Sequence, residues 1–208
     1  MKTRTFIARR ICQQLPRACI LAATLSTCVM SAHAAQTSDK APVSAVLQQQ
    51  SLEKVLHAAK DASWIAEGNG SRLIYIFFDP NCPYCHKLYE ETRPWIGREQ
   101  IQLRWIPVGV LMPSSAGKAA AILEAKNPLA AFHENESTFG TMARFGAIAE
   151  SLPTPQTVKR LAQNADLLKQ TRRPGVPVML FRERSGGLRV VDGAPSSQQL
   201  LEIMRSVK

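Results

Sequence analysis

Cys82 and Cys85, in Cys82-Pro83-Tyr84-Cys85, are the only thiols beyond residue 34 of this 208-residue chain. A thiol pair at that spacing suits a short set of reactions: exchange with a disulfide, ligation of a metal as half of a four-ligand site, or covalent attachment of a haem. A purely structural bridge here would close so small a loop that it would barely restrict the unfolded chain. Chemistry explains the pair better than stability does.

The setting narrows the choice. Lys2, Arg4, Arg9, Arg10 and Arg17 precede an apolar stretch from Ala18 to Met30, and Ala32-His33-Ala34 follows as a small-x-small cleavage site. That order reads residues 1–34 as a secretory signal. The apolar stretch is shorter than the roughly 20 residues a membrane span needs. An uncleaved anchor, twin-arginine export at Arg9-Arg10, and lipid attachment at Cys28 are the alternatives. The residues after Arg9-Arg10 fit the second poorly, and Thr27 is a poor residue before a lipidated cysteine. Cys12, Cys19 and Cys28 fall inside the signal, so the exported chain keeps one pair. Disulfides persist in such a compartment.

The formal net charge of +10 overstates the mature surface. Removing five of the 26 basic residues with the signal leaves 21 against 16 acidic ones, a net +5. No basic stripe with interleaved aromatics is present, which argues against nucleic acid as a partner. At 45% hydrophobic and 20% charged, the composition is that of an ordinary globular protein.

A structural zinc site needs four ligands, and His57, His86 and His133 show no paired spacing that would complete one. The expectation is no metal. Cys82-Pro83-Tyr84-Cys85-His86 also matches the Cys-x-x-Cys-His pattern of c-type haem attachment, which happens after export too. Against it stands the apolar run that leads into the motif, since c-type cytochromes usually carry theirs on or before helices.

That run, Leu73 to Phe78, is continuous and rich in β-branched and aromatic residues. Without alternation, it reads as a central strand covered on both faces. Pro83 suits the first turn of a helix running to about Trp95, which Pro94 would kink or end. A strand, a short Asp79-Pro80-Asn81 turn and a helix would set Cys82 at a helix N-terminus. Unpaired N–H groups and the helix dipole favour a thiolate there. Cys82 is then the nucleophile and Cys85, one turn further in, the resolving thiol. Pro83 and Tyr84 are expected to tune the pair. No cofactor beyond a redox-active Cys82–Cys85 disulfide is required.

The remaining pattern predicts a linker over 35–50, a helix from Ser51, a strand over Ile101–Val110, and a largely helical stretch from Ser114 to about Thr171. A hairpin of Val176–Phe181 and Leu188–Val191 about Ser185-Gly186-Gly187 follows, then a last helix capped by Ser197. The order is that of an α/β protein with a thioredoxin-like fold and a helical insertion between its second and third strands, over residues 51–208. In such a fold Pro177 is the expected cis-proline facing the cysteines. The backbone of Val176 would then be placed to pair with an extended substrate. A trans proline at a strand edge is the alternative.

Phe78-Asp79-Pro80-Asn81-Cys82-Pro83-Tyr84-Cys85, Arg93-Pro94-Trp95, Val108-Gly109-Val110 and Lys118-Ala119-Ala120-Ala121-Ile122-Leu123 resemble the catalytic domain of the DsbC/DsbG family of periplasmic disulfide isomerases, DsbG more closely. The likeness runs from about Leu52 to the C-terminus. It implies a periplasmic thiol–disulfide reductase or isomerase that acts on exported cysteine-containing proteins and is kept reduced by a membrane electron donor. A non-catalytic holdase for unfolded exported chains is the alternative on the same fold. The sequence departs from the family in two ways. The family carries an N-terminal dimerisation domain, for which residues 35–50 are too few, so a monomer is expected. The family also tends to place threonine before the cis-proline, where Val176 stands.

Overall fold

The computed structural model describes residues 43–137, 139 and 145–208. The signal read over 1–34 lies outside them. Five strands, β1 (Ile65–Glu67), β2 (Arg72–Phe78), β3 (Ile101–Pro107), β4 (Val178–Arg182) and β5 (Leu188–Asp192), form one sheet in the order β1-β3-β2-β4-β5. β2 pairs in parallel with β3 and antiparallel with β4. The helices are α1 (Val43–Ala59), α2 (Pro83–Thr92), α3 (Ser115–Glu124), α4 (Pro128–Ser137), α5 (Pro155–Gln170) and α6 (Ser197–Ser206).

β2 is central and covered on both faces. Ile74, Ile76 and Phe78 pack in a layer with Leu88 and Tyr89 of α2, Phe132 of α4, and Leu200, Ile203 and Met204 of α6. Tyr75 and Phe77 point the other way, among Val55, Leu56 and Ala59 of α1 and Leu168 of α5. This two-sided burial is the reason the run shows no polar alternation. The insertion consists of α3, α4 and α5, between β3 and β4.

Several details differ from the sequence-based expectation: β3 ends at Pro107 and not Val110, and β4 begins at Val178, after Val176-Pro177. The first helix begins at Val43, so residues 43–50, read as linker, are helical and Ser51 lies inside the helix and does not start it. Val46 and Leu47 are exposed, so this extension shows no buried periodic face. The three-residue edge strand β1 was not anticipated, and it moves the insertion one strand later in the count. Ser196, not Ser197, caps α6, in a capping box with Gln199.

β1 is held by a buried carboxylate. Glu67 accepts from Arg93, from the Trp105 indole N–H (3.0 Å), and pairs with His133 Nε2 (2.6 Å). These contacts outweigh burial and hold the Glu67 carboxyl below its ordinary value. Gly70 lies where a Cβ would sit 1.8 Å from the Gln100 carbonyl oxygen, which is backbone and cannot rotate away. Gly70→Ala is therefore expected to destabilise the fold by about 1–3 kcal/mol or more. An unchanged urea midpoint would contradict that packing.

Candidate active site

Phe78 ends β2, and the chain turns through Asp79-Pro80-Asn81 into α2. Asp79 is fully buried. It accepts hydrogen bonds from the backbone N–H groups of Asn81 (3.0 Å), Val110 (2.7 Å) and Leu111 (3.0 Å), and from the Ser115 hydroxyl (2.7 Å). Its own carbonyl accepts from the Cys82 N–H at 3.0 Å. One carboxylate thus ties the cysteine loop to the loop after β3. Gly109, at φ +60° and packed against the Ala116 backbone, provides the turn that precedes those two N–H groups. Asn81 extends the tie. Its Nδ2 donates to Ser114 and Ser115, and its Oδ1 accepts from Lys118 Nζ at 2.9 Å.

Cys82 is the N-cap of α2, with extended backbone (φ −86°, ψ 115°) and Pro83 in the first turn. Its Sγ accepts from the Cys85 N–H at 3.4 Å, and its thiol donates to the Val176 carbonyl at 3.5 Å. The Cys82 thiol is held below its ordinary value, first by the hydrogen bond from the Cys85 thiol and then by the N–H groups of Cys85 and Tyr84. Burial and the Asp79 charge oppose this. The Cys85 thiol is pushed well above its ordinary value by burial, and further by Cys82 and by the charge of Glu136. Both are free thiols with little exposure, Cys82 at 3% and Cys85 at 1%; the deeper enclosure of Cys85 is the largest cause that raises it, and the hydrogen bonds directed at the Cys82 sulfur widen the difference.

The sequence-predicted residues come together here. The Val176-Pro177 bond is cis, and the Val176 carbonyl faces Cys82. Pro83 is exposed beside the pair. Tyr84 is 63% exposed, as are, in large part, Val110 and Leu111 on the loop that Asp79 anchors. Sequence reasoning missed the roles of Asp79, Asn81, Ser115 and Lys118 in holding the loop, although Asp79, Asn81 and Lys118 stood in segments it singled out. It also missed Glu136 of α4, which nothing local marks. The His86 ring stacks on Phe139 (centroids 4.6 Å apart) with Nδ1 turned to Glu136.

Comparison with known proteins bears on this arrangement. Residues 59–208 match the thioredoxin-like domain family. The chain is 33% identical to the thiol:disulfide interchange protein DsbG of Pseudomonas aeruginosa, over 76% of this chain and 65% of that one. It is 29% identical to the Escherichia coli protein of the same name, over 70% and 58%. It therefore spans about two thirds or less of the length of these curated relatives. Among solved structures, a linker-deletion variant of Proteus mirabilis ScsC superposes with a TM-score of 0.58 at 21% identity, covering 77% of this chain and 81% of that one. At that identity the likeness shows the fold alone.

Proposed function

The chain belongs to the thioredoxin-like family, and from that premise we propose that it is a DsbG-like thiol–disulfide oxidoreductase, a reductase or isomerase acting on cysteines of exported proteins in the periplasm. The observation that carries this reading is the opposed environment of two thiols one helical turn apart: Cys82 is favoured as thiolate and Cys85 as thiol. A nucleophile and a held-back resolving group need that difference.

In this reading the Cys82 thiolate attacks a substrate disulfide. A Cys82–substrate mixed disulfide forms and one substrate thiolate leaves. Cys85 then attacks Cys82 and releases the second, leaving the protein oxidised by two electrons. A membrane thiol–disulfide electron donor restores the dithiol. Tyr84, Val110 and Leu111 offer apolar surface to an unfolded chain beside the sulfurs, and the Val176-Pro177 loop docks its backbone. Pro83 and Tyr84 tune the pair.

The test is the pH dependence of alkylation of the reduced protein. Cys82 is expected to react first and to titrate well below the ordinary thiol value of about 8.5. Faster labelling of Cys85, or an unshifted titration, would overturn the roles.

Val176 gives a second test. Its carbonyl lies 3.5 Å from Cys82 Sγ, and its apolar side chain has no proton to offer a sulfur anion. Val176→Thr keeps the shape and adds a hydroxyl donor. Stabilising the thiolate stabilises the reduced state, so the potential is expected to rise. One hydrogen bond of about 1.4 kcal/mol corresponds to about 30 mV for a two-electron couple. An unchanged potential would mean that side chain does not face the sulfur.

A further inference from the structure

β2 and β4 run antiparallel, and the cysteines sit at one end of both: Phe78 leads into Cys82, and Val178 follows Val176-Pro177. At the other end lie Arg72, which opens β2, and Arg182, which closes β4. The C-terminal residues run against them, with the Lys208 N–H donating to the Arg182 carbonyl at 2.8 Å. The seven residues of β2 set the two ends about 20 Å apart.

This far pole gathers positive charge. Lys54 and Lys60 of α1, Arg184 beyond β4 and Lys208 are exposed, and none of the four side chains has an ion-pair partner among the described residues. The acidic groups nearby are engaged elsewhere. Both Glu53 oxygens pair with the Arg182 guanidinium, which holds that carboxyl below its ordinary value. Glu99 pairs with Arg72 at 3.4 Å and Glu183 with Arg189 at 3.3 Å. Asp61 lines a separate hollow against α5. Arg72 and Arg184 both donate from Nε to the Val207 carbonyl, at 3.0 and 3.3 Å, so two like charges share one acceptor.

Two open hollows meet here at Leu56, Lys60 and Arg182. Lys54 and His57 edge one, and Ser71 and Lys208 edge the other. Arg72, the buried base of this pole, is turned away from them and directs its N–H groups at the carbonyls of Val207, Met204 and Glu99. What remains are long exposed side chains from separate stretches of chain. They form no closed cradle for one anion. They suit a flat array of many anions, which asks for density of charge and not for shape. A protein partner in disulfide exchange must meet the cysteines, at the opposite end.

We propose that this pole docks the protein on an anionic phospholipid surface, through Lys54, Lys60, Arg184 and Lys208, and leaves Cys82 facing away from it. The docking needs no thiol chemistry, so it stands or fails apart from the exchange reaction.

The experiment pellets the reduced protein, as exported by a host cell, with phosphatidylcholine vesicles that contain phosphatidylglycerol, at low ionic strength. Binding is expected there, and none to vesicles of phosphatidylcholine alone. Salt at about 1 M, which cuts the screening length to about 3 Å, should release the protein. Each base at an anionic surface contributes about fivefold, so Lys54→Gln, Lys60→Gln and Arg184→Gln together are expected to weaken binding about a hundredfold. All three are exposed, so the fold should hold, and an unchanged urea midpoint checks it. Lys87→Gln, Lys126→Gln and Lys159→Gln together remove as much charge from exposed positions elsewhere and should weaken binding far less. On the vesicles Cys82 should react with iodoacetamide as fast as in solution. The proposal is overturned if the second triple variant loses as much as the first, if uncharged vesicles bind equally well, or if the vesicle surface shields Cys82. Titration with inorganic phosphate and retention on immobilised polyglutamate test the other ligands. Saturable phosphate binding without pelleting would make the hollows a site for a soluble anion. Retention on polyglutamate that the first triple variant loses, again without pelleting, would make the pole a face for an acidic protein. Either result overturns the lipid assignment.

Discussion

Cys85→Ser is expected to turn the chain into a trap. Cys82 retains its place as N-cap of α2, with the Cys85 backbone N–H still directed at its sulfur, so attack on a disulfide proceeds. With no second thiol to release it, the mixed disulfide accumulates, and turnover falls by at least about a thousandfold. Cys82→Ser is expected to be equally inactive but to trap nothing, because Cys85 is sealed and holds its proton tightly. Non-reducing electrophoresis after incubation with a disulfide-bonded substrate separates the two. Adducts on Cys82→Ser instead of Cys85→Ser would reverse the roles.

The second large effect belongs to Asp79. Its carboxylate is fully buried and satisfies three backbone N–H groups from two loops and the Ser115 hydroxyl at the start of α3. Asp79→Ala leaves those donors without acceptors, and the expected loss is about 3–5 kcal/mol, a large part of the stability of a single domain. Asp79→Asn should help little, since an amide nitrogen would then face donors. Urea unfolding measures the loss. Asp79 also raises the hold of Cys82 on its proton. The molecules that remain folded should therefore show a Cys82 that titrates lower still. A loss below about 1 kcal/mol would mean water replaces the carboxylate readily and the loop is not anchored as described.

The parts of the molecule legible in its sequence are those where one local rule dominates. Leu73–Phe78 lacks alternation because both faces are buried, and the central strand follows from that. Pro83 and Cys82 mark a helix start by their chemistry alone. The elements that escaped detection lack a local signature. Residues 43–50 form a helical extension whose Val46 and Leu47 stay exposed, so no periodic face appears. β1 is three residues long, too short to show a period. Glu67 and Glu136 read as surface residues, because acidic side chains are rarely buried. Their burial depends on partners distant in the chain: Arg93, Trp105 and His133 for the first, and His86 of α2 for the second. Asp79 before a proline reads as a turn former, and only the fold brings Val110, Leu111 and Ser115 to it.

The central claim is that Cys82 and Cys85 form one two-electron couple. The direct measurement is equilibration of the full chain with glutathione buffers of graded reduction potential, followed by acid quench and mass analysis of the trapped thiols. A single transition between the dithiol and the intramolecular Cys82–Cys85 disulfide is expected, with no stable glutathione adduct along it. A chain that stays a dithiol in every buffer, or that collects glutathione on Cys82 and never closes, would contradict it.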